Sequence, residues 1–458
     1  MNGYSAESPP GSGARAAAQQ ALSETLRRKR PLDAGLEQAI SSRGLAERDG
    51  AFARAIANET MRRFGQLDDL VRQFVPRAPQ PHRAGASLEI LLAGACELLF
   101  LGVPAHAAVD GANRLAASDS KAVHFKPLIN AALRRIAREG PSLVRDQDAC
   151  RLNTPDWLWL RWCEAYGEET VHAFARVHAA MPPLDLAFTR TSEFSSPARG
   201  GGAAEGGGGS NPAKGTMPTG SELPGGMLRL ENAGNVTGLP GFGEGEFWVQ
   251  DFAASLPVCL FGDLRGRRAI DLCAAPGGKT AQLVSAGAEV TAVDRDPGRV
   301  ARLQENLHRL RLDARIVRSD VRDFSPDLAT ECVLLDAPCT STGTIRRHPE
   351  LPWIKSAADV MASAEAASAL LDAAAEMVAR SGTLVFAVCS LEVEEGPEQI
   401  EHFLRRNADF RRQRVEPSEV FGLGECINAQ GDLRSLPCHL AESGGMDGFY
   451  AARLARVS

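Results

Sequence analysis

Two cysteines in the second half of the chain stand where sheet strands are predicted to end. Cys339 follows the apolar run Val333–Leu335 and lies three positions after Asp336, and Cys389 closes the run Gly382–Cys389. A thiolate can form a covalent intermediate with a substrate, and a carboxylate can hold the substrate or transfer a proton. An ordinary thiol is only about 3% ionised at pH 7, so an attacking cysteine needs a nearby cation or helix N-terminus. These residues alone do not establish which thiol attacks.

The elements around the two cysteines have the pattern of a doubly wound α/β domain. From Arg267 onward, short apolar runs alternate with helical patterns, which predicts a parallel sheet covered on both faces. Further strands are predicted at Ala269–Cys273, Glu289–Asp294 and Ala314–Asp320. Open sheets of this kind bind ligands at the carboxyl ends of their strands, so we expect Cys339 and Cys389 to face one substrate.

A turn of small residues, Cys273–Thr280, follows the first of these strands. Small residues let the backbone approach a ligand closely, and the helix that follows offers free N–H groups. The Gly-Lys-Thr ending is shared with phosphate-binding loops, which leaves an NTPase as one alternative. That motif, however, requires a glycine where this chain has Cys273. The Gly-x-Gly-x-x-Gly pattern of NAD-binding proteins is also absent from the sequence.

The next two predicted strands each end in an acid. Asp294 closes the second strand, where a carboxylate can accept hydrogen bonds from ribose hydroxyls, and Asp320 closes the third, where it suits an adenine amino group. A small-residue turn followed by these two acids predicts a pocket for S-adenosylmethionine, which has no phosphate to bind.

The first half of the chain is predicted to be helical, followed by a smaller mixed region. Helical patterns occur at about 15–28, 47–63, 66–74, 85–99, 104–117 and 123–139. The segment 86–100 is apolar almost all round, which predicts the central helix of a bundle. The expected organisation is a disordered N-terminus at 1–14, a helical domain at 15–145, an intermediate subdomain at 146–250 containing a disordered glycine-rich insertion at 195–226, and the α/β domain at 251–458.

The composition of the 458 residues excludes several classes of protein. No signal-peptide pattern and no apolar run of about 20 residues occurs, so we expect a cytoplasmic protein with no membrane partner. Ten cysteines without a Cys-x-x-Cys pair indicate neither a zinc site nor a disulfide framework, and we expect no metal. The net charge of −6 is not that of a generally basic nucleic-acid binder, so any polyanion site must rest on local basic clusters.

Several of these motifs together resemble one enzyme family. Asp271–Thr280, Asp336–Cys339 and Val388–Leu391 resemble the Nol/Nop/Sun family of RNA cytosine-5 methyltransferases. Ala95–Val109 and Leu128–Ile136 resemble the NusB-like RNA-binding helical domain, which narrows the resemblance to the bacterial RsmB (Sun) type. The similarity runs from about residue 15 to the C-terminus, apart from the glycine-rich insertion.

The resemblance implies a multidomain α plus α/β fold: an all-α NusB-like bundle, a small α+β linker subdomain and a Rossmann-like class I methyltransferase domain. It implies methyl transfer from S-adenosylmethionine to carbon 5 of a cytosine in small-subunit (16S) ribosomal RNA through a covalent cysteine–cytosine adduct. Cys389 would be the nucleophile, Cys339 would help to release the product, and Asp336 and Lys279 would hold the cytosine edge. The implied cofactor-binding residues are Cys273, Ala274, Ala275, Pro276, Gly277, Gly278, Lys279, Asp294, Arg299, Asp320 and Asp336.

The basic loop after the first cysteine completes the predicted site. Arg346, Arg347 and His348 are suited to the phosphates that flank a target base, which must be unstacked for carbon 5 to be reached. The chain departs from the family pattern at Val388, where threonine is usual, and at Thr340–Ser341, where serine and glycine are usual. A non-catalytic RNA-binding or ribosome assembly factor is the second alternative, and the presence of both cysteines, the acids and Lys279 speaks against it.

Overall fold

The computed structural model describes residues 11–77, 80–189, 218–231 and 233–457. Most of the predicted disordered segments at 1–14 and 195–226 therefore lie outside the described residues. At the positions of these segments that the structure does describe, the prediction of disorder is wrong. Ser12 already begins a helix whose Ala14, Ala17 and Ala18 are buried, and Ser221–Leu223 forms a strand paired with a neighbour.

The chain folds as two compact units. The first contains the residues up to Met181 together with Thr344–Asp359, and the second contains Pro182–Gly343 and Val360–Ser458. This grouping differs from the predicted boundaries at residues 145 and 250. The linker was expected to begin at residue 146, whereas the helical unit continues to Met181 because its later helices pack on its earlier ones.

The helical unit is a bundle built around one apolar helix. Its helices are α1 (Ser12–Arg28), α2 (Leu32–Ser42), α3 (Glu47–Arg62), α4 (Phe64–Phe74), α5 (Pro81–Ala84), α6 (Ser87–Leu99), α7 (Ala105–Ser118), α8 (Lys126–Asp146), α9 (Ala149–Leu152), α10 (Asp156–Tyr166) and α11 (Glu168–His178). The predicted central helix is confirmed, since α6 is buried along nearly its whole length. The predicted end of α8 at 139 is wrong: the helix runs through Pro141 because Leu143 and Val144 pack on the same core as Ile136. No helix in the described ranges is both long and apolar enough to cross a membrane.

The second unit contains two sheets and their covering helices. Its strands are β1 (Leu184–Phe188), β2 (Ser221–Leu223), β3 (Met227–Leu230), β4 (Phe247–Val249), β5 (Arg268–Leu272), β6 (Glu289–Asp294), β7 (Arg315–Arg318), β8 (Thr330–Asp336), β9 (Val378–Val388), β10 (Phe410–Arg412), β11 (Leu433–Ser435) and β12 (Phe449–Arg456). The helices from this part of the sequence are α12 (Phe252–Cys259), α13 (Gly278–Ser285), α14 (Pro297–Leu310), α15 (Leu351–Ile354), α16 (Ala357–Glu376) and α17 (Pro397–Arg406), of which α15 folds with the helical unit.

The large sheet has the strand order β10–β12–β9–β8–β5–β6–β7, with β11 paired to β12. The strands from β9 to β7 are parallel neighbours, as predicted, whereas β12 is antiparallel to β9, β10 and β11. The all-parallel prediction is wrong at this edge because an apolar run indicates burial and does not encode strand direction. The chain passes from β5 outward to β6 and β7 and then returns to β8 on the other side of β5. The crevice for a ligand is therefore expected at the carboxyl ends of β5 and β8.

Helices cover both faces of this sheet. Leu334 of β8 packs in the apolar cluster that includes residues of α12, α13 and α14, and Leu335 packs in the cluster that includes residues of α16 and α17. Successive residues of a strand point to opposite faces, so the central strands carry apolar residues toward both faces. This double burial fixes the register in which the strand ends present their polar residues.

The small sheet, in the order β2–β3–β1–β4, is antiparallel and contains a buried ion pair. Asp185 of β1 lies directly opposite Arg229 of β3, and the guanidinium binds both carboxylate oxygens at 2.7 and 2.8 Å. The second of these oxygens also accepts the N–H of Phe252, the first residue of α12, at 3.0 Å. Asp185 thus ties two strands to the helix that leads into the large sheet.

Replacing Arg229 with methionine is expected to lower the free energy of unfolding of this unit by about 3–5 kcal/mol, because it leaves the Asp185 carboxylate buried without its counter-ion. Urea denaturation followed by tryptophan fluorescence measures the change. The matched control is Arg265→Met, which breaks the exposed pair with Asp263 and should cost less than about 1 kcal/mol. Equal shifts for the two variants would contradict the prediction.

Candidate active site

The carboxyl ends of β5, β8 and β9 meet at one edge of the large sheet. Asp336, the last residue of β8, is in register with Ala387 of β9. The N–H of Ala337 donates to the carbonyl of Ala387 at 2.8 Å, which carries the pairing one residue past the strand. The loop with Cys339 and the end of β9 with Cys389 are thereby held side by side.

The two predicted thiols are in contact. Sγ of Cys339 lies 3.5 Å from Sγ of Cys389, and both side chains are partly buried. The hydrogen bond from the Cys339 thiol lowers the pKa of Cys389 against the effect of burial, and the Ser341 hydroxyl and the Lys279 ammonium act in the same direction. Hydrogen bonding to Cys389, followed by burial, raises the pKa of Cys339 well above its usual value. The arrangement favours a thiolate on Cys389 and a neutral thiol on Cys339.

A buried cation lies beside this thiol pair. Nζ of Lys279, at the start of α13, is 2.8 Å from Oδ2 of Asp336 and 4.8 Å from the centre of the Phe449 ring. Burial alone would lower the pKa of Lys279, but the ion pair with Asp336 outweighs it and keeps the pKa raised. Lys279 is therefore a permanent positive charge near Cys389, and Asp336 is its counter-ion.

The small-residue turn is fixed by one of the predicted ligand acids. Oδ2 of Asp294 accepts the N–H of Ala275 at 3.1 Å, and Arg299 bonds to the carbonyl of Ala275 while lying 3.6 Å from the same carboxylate oxygen. Gly277 has a φ of 106°, and a Cβ there would meet Leu303 at 2.5 Å, so only glycine fits. In the structure, Asp294 and Arg299 shape the turn, and their contacts with a cofactor stay predictions.

The other predicted ligand acid, Asp320, is held by an arginine that the sequence analysis did not consider. Arg322 binds its two carboxylate oxygens at 2.8 and 2.9 Å, and this hydrogen bonding lowers the pKa of Asp320 despite partial burial. The carboxylate is therefore ionised and keeps lone pairs for a further donor. Its role toward adenine stays a prediction.

A fully buried acid lies under the turn. Asp271 of β5 accepts a hydrogen bond from the Thr280 hydroxyl at 2.6 Å through Oδ2, whereas its Oδ1 has no hydrogen-bond partner. Burial raises the pKa of Asp271 to about 7. Asp271 was recognised only as part of a motif, because its burial is not visible in the sequence.

A buried carboxylate joins the two cysteine-bearing segments. Oε1 of Glu395 accepts the N–H of Thr340 at 2.7 Å, and Oε2 accepts the Thr340 hydroxyl at 2.6 Å and the hydroxyl of Ser390. Thr340 follows Cys339 and Ser390 follows Cys389, so one side chain fixes the residue after each thiol. We call Glu395, Thr340 and Ser390 the carboxylate clamp.

The loop is also joined to the end of β9 by its backbone. The N–H of Gly343 donates to the carbonyl of Cys389 at 3.1 Å, and the N–H of Gly448 donates to the carbonyl of Gly343 at 2.8 Å. A Cβ at Gly343 would lie 1.9 Å from the carbonyl oxygen of Gly448, which requires glycine at this close approach. The thiol separation is therefore set by both side-chain and backbone bonds.

Comparison with known proteins places this site in a family. The family model described as 16S rRNA methyltransferase RsmB/F matches residues 263–455, and the NusB family model matches residues 12–138. The ribosomal RNA small subunit methyltransferase B of Pseudomonas putida is 34% identical over 453 residues, which cover 97% of this chain and 98% of the relative. The protein of the same name from Escherichia coli K12 is 32% identical, covering 90% and 92%. This chain belongs to the ribosomal RNA small subunit methyltransferase B family.

The fold of this family member also has a close match among solved structures. The crystal structure of PH0851 matches it with a TM-score of 0.74 at 21% identity, covering 98% of this chain and 99% of that one. The predicted recognition and the predicted fold, a NusB-like bundle with a Rossmann-like methyltransferase domain, are confirmed.

In this methyltransferase, the residues predicted to contact RNA belong to the helical unit and differ in their exposure to solvent. Arg346 is completely buried, and its carbonyl accepts a hydrogen bond from Arg62 at 2.9 Å. The prediction that Arg346 contacts phosphates is therefore wrong for this structure, since counting charges cannot distinguish a buried arginine from an exposed one. Arg347 is exposed, and His348 is partly exposed with Nδ1 3.7 Å from Asp33, so their roles stay predictions.

Two residues that the sequence analysis missed, Glu395 and Phe449, contact partners from distant sequence positions. Glu395 belongs to the acidic run 392–395, which offered the signal of several carboxylates beside Cys389. Phe449 is brought to Lys279 by β12, and nothing in the sequence indicated this contact.

Glu395→Gln is expected to reduce the methyl-transfer rate by about 10- to 100-fold, because the amide cannot accept all three hydrogen bonds and the cysteines lose their fixed separation. Loss of these charge-assisted bonds should also destabilise the fold by about 1.5–3 kcal/mol. Rates with saturating substrates and thermal unfolding measure the two effects. The control, Glu398→Gln, alters an exposed carboxylate three residues away, and an equal loss of activity there would count against the clamp.

Asp271→Asn is expected to become more stable relative to the parent chain as pH rises from 5 to 8. An unfolded aspartic acid titrates near pH 3.9, about three units below the pKa of about 7 that burial gives Asp271. Between these values the folded state keeps a proton that the unfolded state has lost, so the parent chain loses stability as pH rises. Thermal unfolding at pH 5, 6.5 and 8 tests this. The exposed control Asp263→Asn should show no such trend, and a pH-independent difference for Asp271→Asn would contradict the prediction.

Proposed function

We propose that this protein transfers a methyl group from S-adenosylmethionine to carbon 5 of a cytosine in small-subunit ribosomal RNA. The observation that carries the proposal is the pair of thiols 3.5 Å apart, with Lys279 and Asp336 alongside, in a chain of the ribosomal RNA small subunit methyltransferase B family. Cytosine-5 chemistry needs a nucleophile and a separate group for product release, and this site offers two thiols whose pKa values are shifted in opposite directions.

Cys389 is assigned as the nucleophile. Carbon 5 of cytosine is too weak a nucleophile to take a methyl group unaided, but addition of a thiolate to carbon 6 makes the ring an enamine. The lowered pKa of Cys389 increases the fraction of thiolate at neutral pH, which supports this assignment.

Asp336 and Lys279 are assigned to the polar edge of the base. The carboxylate of Asp336 can accept a hydrogen bond from the cytosine, and the ammonium of Lys279 can stabilise negative charge on the ring as the thiolate adds. Because the two form an ion pair at 2.8 Å, each holds the other in position before the base arrives.

Cys339 is assigned to the end of the reaction. After methylation, a base must take the proton from carbon 5, and the electron pair of that C–H bond then expels the Cys389 thiolate from carbon 6. Cys339 lies against the sulfur of Cys389, so it is adjacent to the adduct at that stage.

The residues around the turn fit the proposed methyl donor. S-adenosylmethionine supplies an electrophilic methyl group and carries ammonium and sulfonium cations. Oδ2 of Asp294 accepts the N–H of Ala275 in the turn, Oδ2 of Asp271 accepts the hydroxyl of Thr280, and the buried Oδ1 of Asp271 has no hydrogen-bond partner. Gly277 and the small residues before it leave the backbone of the turn accessible to a ligand.

The cysteine roles predict different outcomes for two alanine variants. Cys389→Ala should reduce formation of 5-methylcytosine to background, because no adduct forms. Cys339→Ala should instead accumulate RNA covalently attached to protein, because the adduct forms and is not resolved. Bisulfite sequencing of 16S transcript and denaturing gels of labelled RNA measure these two results.

Cys163→Ala, which changes a partly exposed cysteine in the helical unit, is the control and should behave like the parent chain. Normal methylation by Cys389→Ala would overturn the nucleophile assignment. The absence of any methylated cytosine with the parent chain and 16S transcript would count against the proposed substrate.

A further inference from the structure

Ser341, in the loop that follows Cys339, has a backbone conformation that disfavours residues with a side chain. Its φ is 62°, in the left-handed region, where glycine is the residue without a steric cost. A serine here therefore carries a steric cost that glycine would not.

The hydroxyl of Ser341 lies against both thiols. Its Oγ accepts a hydrogen bond from Sγ of the neutral Cys389 thiol at 3.4 Å and lies 3.9 Å from Sγ of Cys339, and these sulfurs are 3.5 Å from each other. The three atoms form a closed triangle. A hydroxyl can rotate its proton toward whichever sulfur is charged, and it can accept from the one that is protonated.

The residues on either side of Ser341 prevent this hydroxyl from moving away. Thr340 is bound through its N–H and its hydroxyl to Glu395. Thr342 lies 3.2 Å from the Ser390 hydroxyl and accepts the N–H of Leu391 at 3.0 Å. Ser341 thus sits between two residues that are fixed to the segment that follows Cys389.

We propose that Ser341 is a further catalytic residue, whose hydroxyl donates a hydrogen bond to the thiolate of Cys389 and so maintains the attacking nucleophile. The inference rests on the proposed function, because it takes Cys389 as the attacking sulfur. Hydrogen bonding to a charged form stabilises that form. The Ser341 hydroxyl is accordingly among the groups that lower the pKa of Cys389, after the Cys339 thiol.

The test compares Ser341→Gly with Ser341→Ala. Both remove the hydroxyl, but glycine also relieves the left-handed strain and alanine keeps it. The rate at which iodoacetamide alkylates Cys389 is measured from pH 5.5 to 9.5 in the full-length protein, with the modified residue identified by peptide mass spectrometry. Both variants should show a Cys389 titration displaced upward by about 0.5–1 unit, which is a roughly 3- to 10-fold slower alkylation at pH 7. The rate of methyl transfer should fall by a similar factor.

Ser381→Gly is the matched control. Ser381 also has a left-handed backbone, with a φ of 60°, and is exposed. Its replacement should affect thermal stability as Ser341→Gly does but leave Cys389 alkylation unchanged. A Cys389 titration in Ser341→Gly that coincides with that of the parent chain would overturn the inference. The inference would also be overturned if Cys389 alkylation were slowed in Ser341→Ala but not in Ser341→Gly, because backbone geometry would then be the cause. Failure of the parent chain to methylate 16S transcript would count against the proposed function. Because alkylation requires no RNA, the Cys389 titration would still decide whether the Ser341 hydroxyl stabilises the thiolate.

Discussion

The parallel pairing of β8 with β9 is the constraint on which the site depends. Two strands that run in the same direction through a buried sheet must end at the same edge, and neighbouring strands are about 4.8 Å apart. Cys339 and Cys389 are 50 positions apart in sequence, and this pairing brings their segments to the same edge of the sheet. Every further interaction around the thiols, including the carboxylate clamp, refines a proximity that the sheet has already established.

Hydrogen bonding and charge then distinguish two thiols that are otherwise alike. The hydrogen bond between them lowers the pKa of Cys389 and raises that of Cys339. The carboxylate of Asp336 opposes the lowering at Cys389 and the ammonium of Lys279 supports it, whereas the carboxylate of Glu395 raises the pKa of Cys339. In a partly buried site these fields are weakly screened, so a modest difference in surroundings produces a large difference in ionisation. The ion pair of Lys279 with Asp336 keeps the cation in place. This asymmetry is what the proposed mechanism requires, since it assigns attack to one sulfur and product release to the other.

Apolar runs and strand-end motifs were sufficient to predict the central strands, the glycine-rich turn and the meeting of the two cysteines. Each of these depends on patterns within a few residues of one another, or on the rule that parallel strands end together. Glu395 and Phe449 escaped prediction because their partners are set by tertiary packing. Arg346 was misjudged for the same reason: its charge is evident in the sequence, but its burial depends on a segment that returns to an earlier unit.

That returning segment, Thr344–Asp359, has a consequence for how the protein is made. Trp353 packs on Phe64 with ring centres 4.7 Å apart, and the carbonyl of Trp353 accepts a hydrogen bond from Lys29 at 2.6 Å. The bundle formed by the first 181 residues leaves the ribosome long before these partners are translated. During synthesis, the surface around Phe64 therefore lacks its packing partner until more than a hundred further residues have been translated. The two units are consequently not independent modules, and an experimenter who cuts the chain between them removes part of the first along with the second.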